Sequence, residues 1–356
     1  MTSILSRLLG FACAAAIAGS GFAEAQSLNN KNLTMIVGFE SGGGVDVVAR
    51  MFGKHLVKNL PPGATLAVQN QPGAAGLNAL NSLYNVAKKD GTAFAYEVWN
   101  PISVLTKLPG IKFEYPKLTM IGALRAGSYV MFARNDIVPG GVHKASDIRK
   151  ADALIYAGQQ PSLQLDMYGR LGLDLFMKGR YRYVSGYRGA NEIRLAMERD
   201  EANVTVHALQ GYLTAIEPRY VKEGLFTPLW HFPRREPNGE WFSDPKLKTP
   251  SFVSAYRDAF NKEPDGPEWE LLKLVSDLYS NVTHFVWAPP GVDPAIVNQL
   301  RKAFDATASD PALQTEQESI FGLRYEPVPI KEAQRIVNGL DHVDPQIVGY
   351  LGNYMK

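Results

Sequence analysis

The sequence contains a single cysteine, Cys13, in 356 residues. That residue lies in an N-terminal apolar segment that we expect to be removed, so the rest of the chain has no disulfide, thiol nucleophile or thiolate metal site. Opposite charges nearly cancel, with 37 Lys and Arg against 35 Asp and Glu. Since no long basic run occurs either, nothing in the sequence indicates a nucleic-acid partner.

Nucleotide, metal and catalytic motifs are also missing. In SGGGVDVVA, Val47 stands where a dinucleotide-binding G-x-G-x-x-G motif needs its third glycine. No G-K-[ST] follows, which excludes a P-loop. The six histidines are scattered, without H-E-x-x-H or a paired metal-ligand spacing. We therefore predict no metal, no cofactor and no catalytic residue.

The N-terminal segment MTSILSRLLGFACAAAIAGSGFAEAQS has the three parts of an export signal: a basic Arg7, an apolar stretch, and small residues ending in AEA. We predict a signal peptide over 1–25, cleavage after Ala25, and a periplasmic protein that begins at Gln26. A short buried helix is the first alternative. A lipid anchor on Cys13 is the second, although the leucine-led motif of lipoproteins does not precede it. No later segment has the roughly 20 apolar residues needed to span a bilayer.

Strand-like runs alternate with helical patterns along the first half of the chain. LTMIVGF is followed by glycines and then by apolar residues at helical spacing from Val45 to Leu60. ATLAVQN and TAFAYEV predict two more strands, and we expect the helix between them to end at Gly91. ALIYAG and YRYVSGY, each followed by a helical pattern, repeat this order. Such alternation is typical of a parallel α/β sheet.

Three strand-to-helix turns rich in small residues are candidates for ligand binding. They are SGGG at 41–44, NQPGAAGLN at 70–78 and GYRGANE at 186–192. Free amides and the positive end of a helix dipole favour an anion at such turns, which lie beyond the carboxyl ends of strands. A plain tight turn is the alternative at each. Trp99 and Asn100 follow the third strand and are placed to line the same cleft.

Five segments in order resemble the Bug-type substrate-binding proteins of tripartite tricarboxylate transporters. The family's first strand, Gly-Gly…Asp loop and Ala-Arg helix are matched by IVGFESGGGVDVVARMF. Its Asn-x-x-Gly-Ala-x-Gly is NQPGAAG, and its Asp-Gly is Asp90-Gly91. Its Tyr-x-Gly is Tyr187 and Gly189, and its C-terminal motif is APPGVDPAIV.

The chain departs from the family in two places. Where the family has a Gly/Ser-rich loop, YAGQQPSLQLD retains only Gly158. The segment between 225 and 281, rich in Pro and charge around RREPNGEWFSDPKLKTPS, is longer than usual, and we interpret that stretch as a surface excursion.

The resemblance implies an α/β protein with the bilobed periplasmic-binding-protein type II fold, in which two α/β domains surround a ligand cleft. It places 27–128 and 230–356 in domain 1 and 129–229 in domain 2. It also implies a monomeric receptor that delivers a small di- or tricarboxylate or an aromatic acid to the membrane permease subunits of a transporter. A ligand-binding partner of a sensor is one alternative, and a secreted hydrolase or isomerase is another.

The resemblance further implies where the ligand binds. Backbone amides of the Gly42-Gly43 loop and of the Tyr187–Gly189 loop are expected to hold carboxylate groups. Asp46 lies in the first helical turn, where favouring the helix dipole is the alternative to ligand contact. Trp99 and Tyr187 suit an aromatic or extended apolar acid unless they pack in the core. The predicted ligand-binding residues are Phe39, Ser41, Gly42, Gly43, Asp46, Asn78, Trp99, Asn100, Gln160, Ser162, Tyr187, Gly189 and Ala190.

Overall fold

The computed structural model describes residues 27–236, 238–245 and 247–355. The predicted signal peptide, its cleavage site and Cys13 lie outside these residues. Two mixed sheets and a short hairpin form the framework. The strands are β1 Asn32–Val37, β2 Thr65–Asn70, β3 Ala93–Val98, β4 Thr119–Arg125, β5 Tyr129–Arg134, β6 Ile155–Ala157, β7 Arg182–Val184, β8 Val204–Ala208, β9 Phe226–Phe232, β10 Arg234–Arg235, β11 Trp241–Phe242, β12 His284–Ala288 and β13 Glu326–Pro327.

Helices cover both sheets. They are α1 Gly44–Leu56, α2 Leu77–Asn85, α3 Pro101–Leu105, α4 Gln164–Met177, α5 Ala190–Glu198, α6 Leu209–Gly211, α7 Phe252–Phe260, α8 Pro267–Tyr279, α9 Pro294–Ala308, α10 Pro311–Phe321, α11 Ile330–Asn338 and α12 Pro345–Tyr354. The α6 turn continues as a π-helix over Tyr212–Val221.

The first sheet has the strand order β13-β4-β12-β3-β1-β2. Strand β1 pairs in parallel with β2 and β3, as the alternating strand and helix patterns predict. Strand β12 inserts antiparallel between β3 and β4, so the C-terminal third of the chain completes a sheet begun by the N-terminal strands. Helices α1 and α9 pack against each other over one face, where Phe52 and Phe304 bring their rings within 5.3 Å.

The second sheet has the strand order β7-β6-β8-β5-β9. Strand β6 pairs in parallel with β7 and β8, whereas β5 is antiparallel to both β8 and β9. Strand β9 ends at Phe232, so the predicted boundary between residues 229 and 230 falls inside a strand. Helix α8 packs against α4, beside the second sheet. The division into domains otherwise stays a prediction.

Part of the segment predicted to be a surface excursion lies in the core. The hairpin β10-β11 is at the surface, and there Arg235 pairs with Asp277 at 2.7 Å. The residues on either side of the hairpin, however, include Trp230 and Phe252. Both are buried, and their rings lie 5.5 Å apart. Phe176 of α4 stacks on Trp230 at 4.6 Å. Residues on both sides of the polar hairpin are therefore needed to build this core.

Helix α2 is shorter than the sequence predicts. It ends at Asn85 rather than near Gly91. The apolar face formed by Leu77, Leu80 and Leu83 is buried, but the next apolar residue, Val86, is 78% exposed. Without a further buried contact, little favours another helical turn. Gly91 instead has a φ of +77° in the turn that leads into β3.

Candidate functional site

A cavity of about 110 Å³ lies between the two sheets. It is bounded by the carboxyl ends of β1, β3 and β6 and by the starts of β5 and β12. Ligands of open α/β sheets bind at such an edge. The volume suits a small organic molecule or several waters. The lining residues are Phe39, Val45, Val98, Ala126, Gly127, Tyr129, Gln159, Leu163, Gln164, Leu165, Ala208, Gln210, Thr283 and His284.

The cavity is uncharged. None of the described residues that line it is acidic, lysine or arginine. Burial lowers the pKa of His284 to about 3, so its ring is neutral at physiological pH. Thr283 Oγ accepts from the Ala126 amide at 2.9 Å and donates to Leu124 O at 3.2 Å. We infer that its other lone pair accepts from His284 Nδ1 at 3.0 Å, which makes Nε2 of that ring an acceptor.

Two glutamines lie in the cavity wall, and the amide oxygen of each lacks a hydrogen-bond donor. Gln164 begins α4 and is 8% exposed, and Gln210 lies in α6. Each Oε1 atom is buried, and neither has a hydrogen-bond partner among the residues described. A buried acceptor without a donor costs about 1–3 kcal/mol, and because both oxygens are closed off from solvent, a molecule in the cavity reaches them only if the side chains turn.

The amides of Gly42 and Gly43 are already used inside their own loop. The Gly42 amide donates to Asp46 Oδ2 at 2.8 Å, and the Gly43 amide donates to Glu40 O at 3.2 Å. A ligand carboxylate could use these two amides only if both bonds opened, so their role in binding stays a prediction. Gly43 is the N-cap of α1, and Val47 makes the first helical bond, to Gly43 O. The amides of Gly44 and Val45 therefore form the anion-favouring end of α1.

Asp46 holds this loop instead of lining the cavity. Its side chain is 1% exposed and accepts from Gly42, Arg50 and Asn70. Burial acts to raise the pKa of Asp46, but hydrogen bonds from Arg50, Gly42 and Asn70 outweigh it and leave the pKa lowered. The turn thus contains an ionised carboxylate. This favours the alternative that Asp46 stabilises the start of α1, rather than contact with a ligand.

The same arrangement occurs at α4 and α5. Asp166, the third residue of α4, accepts from the amides of Gln159 at 2.9 Å and Gln160 at 3.3 Å. Glu192, the third residue of α5, accepts from the amide of Arg188 at 2.8 Å. The loops that lead to α1, α4 and α5 are therefore each fixed by an acidic side chain of the helix that follows.

Trp99 lies in the core instead of the cleft. Its ring is fully buried, its Nε1 donates to Leu278 O at 2.9 Å, and Tyr115 packs on it at 4.6 Å. Asn100 is also fully buried, and neither atom of its amide has a partner within the described parts of the chain. It does not line the cavity. Ser162 is buried, and its Oγ accepts from Gln160 Nε2 at 3.1 Å; neither residue lines the cavity.

Phe39 is the predicted residue that the structure places in the cavity wall. Ser41 and Asn78 are exposed, and Asn78 lies against Gly73. Tyr187 packs on an apolar cluster, with its amide 3.4 Å from Gly158 O. Gly189 is the N-cap of α5 and Ala190 its first residue. All thirteen predicted ligand-binding residues are among those the structure describes, and of these Phe39 alone lies in the cavity wall.

Much of the cavity wall was missed by sequence reasoning. Tyr129 and His284 stand at the first position of antiparallel strands, whereas the prediction considered only the turns that follow strands. Gln159 and Gln164 lie within YAGQQPSLQLD, the loop where the sequence departs from the Bug pattern. That departure could have indicated the cavity wall, because glutamines with long hydrogen-bonding side chains stand there in place of small residues.

No model of a protein family matches the chain, and no curated protein matches it. Among solved structures, the periplasmic binding protein BugD is similar with a TM-score of 0.65 at 18% identity, over 91% of this chain and 97% of that one. The chain has the fold of the Bug- and TctC-type periplasmic binding proteins. The predicted α/β periplasmic-binding-protein fold is therefore confirmed.

Two further structures of this fold contain a ligand. MatC from Rhodopseudomonas palustris with bound malate has a TM-score of 0.62 at 18% identity, over 91% of this chain and 99% of that one. An R. palustris protein with adipate has a TM-score of 0.65 at 15% identity, over 90% and 98% of the two chains. In this chain, the described residues form no cluster of three or more metal-ligating side chains. None of their helices is long and apolar enough to cross a membrane.

Proposed function

We propose that the chain is an extracytoplasmic receptor that captures a small carboxylate-bearing molecule for a tripartite tricarboxylate-type transporter. The observation that carries this proposal is the uncharged cavity between the sheets, with Val45 at the start of α1 in its wall. The malate and adipate in structures of the same fold support an acid as the ligand.

The physical chemistry of the cavity favours one orientation of an acid. A carboxylate taken out of water needs hydrogen-bond donors, since burying an unpaired charge is costly. The amides of Gly44 and Val45, at the positive end of α1, supply such donors. Apolar carbon atoms of the ligand would then contact Phe39, Leu163 and Leu165. Such an acid is held without a cationic side chain.

The side chains of the cavity wall also support binding of the ligand without chemical change. A general acid or base needs a pKa near the working pH, and the pKa of His284 is far below it because the ring is buried. None of the lining residues that the structure describes is a carboxylate or a lysine. A receptor is therefore favoured over a hydrolase or isomerase.

A thermal-shift screen of mono- and dicarboxylates, including aromatic acids, tests the proposal. A ligand that binds only the folded state at 100 times its Kd adds about 2.7 kcal/mol to stability. We expect at least one acid to raise the Tm and to be recovered unchanged by NMR. A chemically altered acid would support the enzyme, and no shift with any acid would contradict the receptor.

A cavity-filling variant locates the binding. Ala208→Leu adds three heavy atoms to the wall of the cavity and should abolish the Tm shift. Ala312→Leu makes the same change on the exposed surface of α10 and should leave the shift intact. Equal shifts in the two variants would place the acid elsewhere.

Delivery to a permease and export need separate tests. Genes for a small and a large membrane subunit beside this one would support transport, whereas a kinase gene would favour sensing. Uptake of the labelled acid should fall when the gene is deleted.

Intact-mass measurement on protein from the native host should show a chain that begins at Gln26. A retained Met1 or a lipid on Cys13 would contradict the cleavage prediction.

A further inference from the structure

We propose that Arg170 and Tyr354 are positioning residues that keep one wall of the cavity in place. Neither lines the cavity. They act on the loop that carries Gln159, through Tyr183 and Asp166, and so connect helix α12 to that loop. The inference rests on the proposed function only for its effect on ligand binding, because the position of the loop is a property of the protein without a ligand.

One face of α4 carries three charged residues at successive turns. Asp166, Arg170 and Asp174 follow each other at intervals of four, which places them on the same side of the helix. Asp166 is fully buried and accepts from the amide of Gln159, in the loop before the helix. Asp174 accepts from the hydroxyl of Tyr354 on α12. Arg170 thus stands between the cavity loop and α12.

Two tyrosine rings and a backbone oxygen contact the guanidinium of Arg170. Its central carbon lies 4.4 Å from the ring centre of Tyr354 and 5.0 Å from that of Tyr183. Its Nη2 donates to Tyr354 O at 2.7 Å. A cation over an aromatic face is attracted by the ring's quadrupole, and more strongly where water is excluded. Arg170 therefore joins Tyr354 of α12 to Tyr183 of β7.

Tyr183 connects Arg170 to the cavity loop. Its hydroxyl donates to Asp166 Oδ1 at 2.7 Å, and its ring stacks on Tyr156 at 5.7 Å. A Cβ on Gly158 would lie 2.6 Å from the Tyr183 ring and would overlap Asp166, so the loop backbone is in close contact with both side chains. Gln159 is the next residue and lines the cavity. A displaced Tyr183 ring therefore displaces the cavity wall.

Arg170 also favours the ionised form of Asp166. Burial raises the pKa of Asp166 to about 6, while the hydroxyl of Tyr183, the amides of the loop and the charge of Arg170 act to lower it. An ionised acceptor makes a stronger hydrogen bond to a backbone amide than a neutral one does. Loss of Arg170 therefore weakens the bond that fixes Gln159.

Helix α12 connects elements of both sheets. Helix α11 precedes it in the chain and packs against β4 of the first sheet, whereas α4 packs against β5 and β8 of the second. Earlier in α12, Tyr350 donates to Glu268 of α8 at 2.8 Å. Tyr350 therefore holds α12 by a hydrogen bond that does not involve Arg170 or Tyr183. A variant at Tyr350 separates attachment of the helix from the proposed positioning.

Amide hydrogen exchange on the unliganded protein tests the inference. Tyr354→Leu removes the ring and the hydroxyl, and Arg170→Leu removes the guanidinium. From the usual strength of a cation over a ring, we expect the amide of Gln159 to exchange about 3- to 30-fold faster in each variant. Tyr354→Phe keeps the ring and should restore most of the protection. Tyr350→Leu makes the same change elsewhere on α12 and should leave exchange at Gln159 close to that of the natural protein.

Two controls distinguish positioning from a general loss of stability. Exchange of the β1 amides and urea denaturation report how far each variant is destabilised as a whole. If the β1 amides accelerate as much as the amide of Gln159, the variants are only less stable and the inference is overturned. If neither leucine variant folds, Tyr183→Phe takes their place. It removes only the hydroxyl that donates to Asp166 and should still accelerate exchange at Gln159.

Stopped-flow kinetics with malate and with adipate tests the effect on binding. A wall that opens more often lets a ligand enter and leave more often. For an acid that binds, Tyr354→Leu should therefore raise both rate constants about 3- to 30-fold. The closed wall still predominates, so Kd should change by less than about twofold. Tyr354→Phe and Tyr350→Leu should leave the rate constants near their natural values.

The outcomes separate this inference from the receptor function. If Gln159 exchanges no faster in Tyr354→Leu and Arg170→Leu than in Tyr350→Leu, the positioning is overturned while the receptor function stands. If Gln159 exchanges faster but the rate constants for a bound acid stay the same, the effect on binding is overturned. If no acid binds the natural protein, the receptor function fails, and exchange at Gln159 alone decides the positioning.

Discussion

The backbone N–H of Gln159 donates a bifurcated hydrogen bond to the two carboxylate oxygens of Asp166, at 2.9 and 3.2 Å. Asp166 is fully buried, and Gln159 lines the cavity. A Cβ placed on Gly158 would overlap Asp166 Oδ1, which requires glycine at that position. The conformation of this wall of the cavity therefore depends on a single buried carboxylate.

Asp166→Ala should lower the free energy of unfolding by about 2–4 kcal/mol. The change leaves the amides of Gln159 and Gln160 and the hydroxyl of Tyr183 without their acceptor. Urea denaturation measures the loss. Asp152→Ala, at an exposed position, should change stability by less than about 0.5 kcal/mol. Similar losses in the two variants would show that the loop does not need Asp166.

Glu97 should make stability fall as the pH rises. Burial raises its pKa to about 8, although Tyr115 and Trp287 donate to it at 2.6 and 2.7 Å. Between the ordinary pKa of glutamate and pH 8, the folded protein then binds more protons than the unfolded chain does. The stabilisation from this group is complete below about pH 4.5 and is lost as the pH approaches 8, by at most about 1.4 kcal/mol per unit.

Glu97→Gln isolates this contribution. The amide cannot accept from both donors, so the variant is less stable than the natural protein at pH 5. Because the amide does not titrate, the gap in Tm between the two proteins should narrow from pH 5 to pH 8. Glu223→Gln, at an exposed position, should give a gap that is small and independent of pH. A gap that stays constant or widens for Glu97→Gln would contradict the raised pKa.

Phe252→Ala should lower the free energy of unfolding by about 3–5 kcal/mol, because its ring is 1% exposed and packs on Trp230 and Phe232. Phe242→Ala is the matched change in the same segment, where the ring is 44% exposed and lies under Arg234 at 4.7 Å. It should cost less than about 1 kcal/mol. Equal costs would mean that the whole segment is peripheral, as the sequence first indicated.

Local patterns were enough to predict the elements around the first sheet. The apolar run from Leu33 and the helical spacing from Val45 to Leu60 depend only on neighbours in sequence. Strand β1 and helix α1 lie there, although α1 ends at Leu56. Proline is typical of the first turn of a helix, and α9 begins at Pro294. Asp46 was predicted to contact the ligand, with favouring the helix dipole as the alternative, and in the structure its carboxylate accepts from the preceding turn.

The cavity was harder to predict, because its wall depends on long-range pairing. Tyr129 and His284 reach it only because β5 and β12 run antiparallel to their neighbours. Trp99 follows a strand, as a cleft residue would, but only the packed structure shows that its ring turns towards Tyr115. Likewise, sequence cannot tell that the Gly42 amide donates to Asp46, which leaves the amides of Gly44 and Val45 as the free end of α1 in this structure.

Gly44→Val tests the proposal that the acid binds at the amides of Gly44 and Val45. Gly44 opens α1, its φ is outside the left-handed region, and a Cβ there meets open space, so the variant should fold normally. The added side chain shields the amides of Gly44 and Val45 from a ligand. Since a charged hydrogen bond contributes roughly 1.5–3 kcal/mol, losing one should raise the Kd of an acid at least about tenfold.

Gly42→Ala is the matched variant for that test. Gly42 has a φ of +79°, so an added Cβ should lower the free energy of unfolding by about 1 kcal/mol. Its amide already donates to Asp46, so the Kd of the acid should change much less than in Gly44→Val. Titration beside urea denaturation separates stability from affinity. If Gly44→Val keeps the natural Kd while Gly42→Ala raises it, the carboxylate binds where the sequence first placed it, and the Asp46 hydrogen bond must open to admit it.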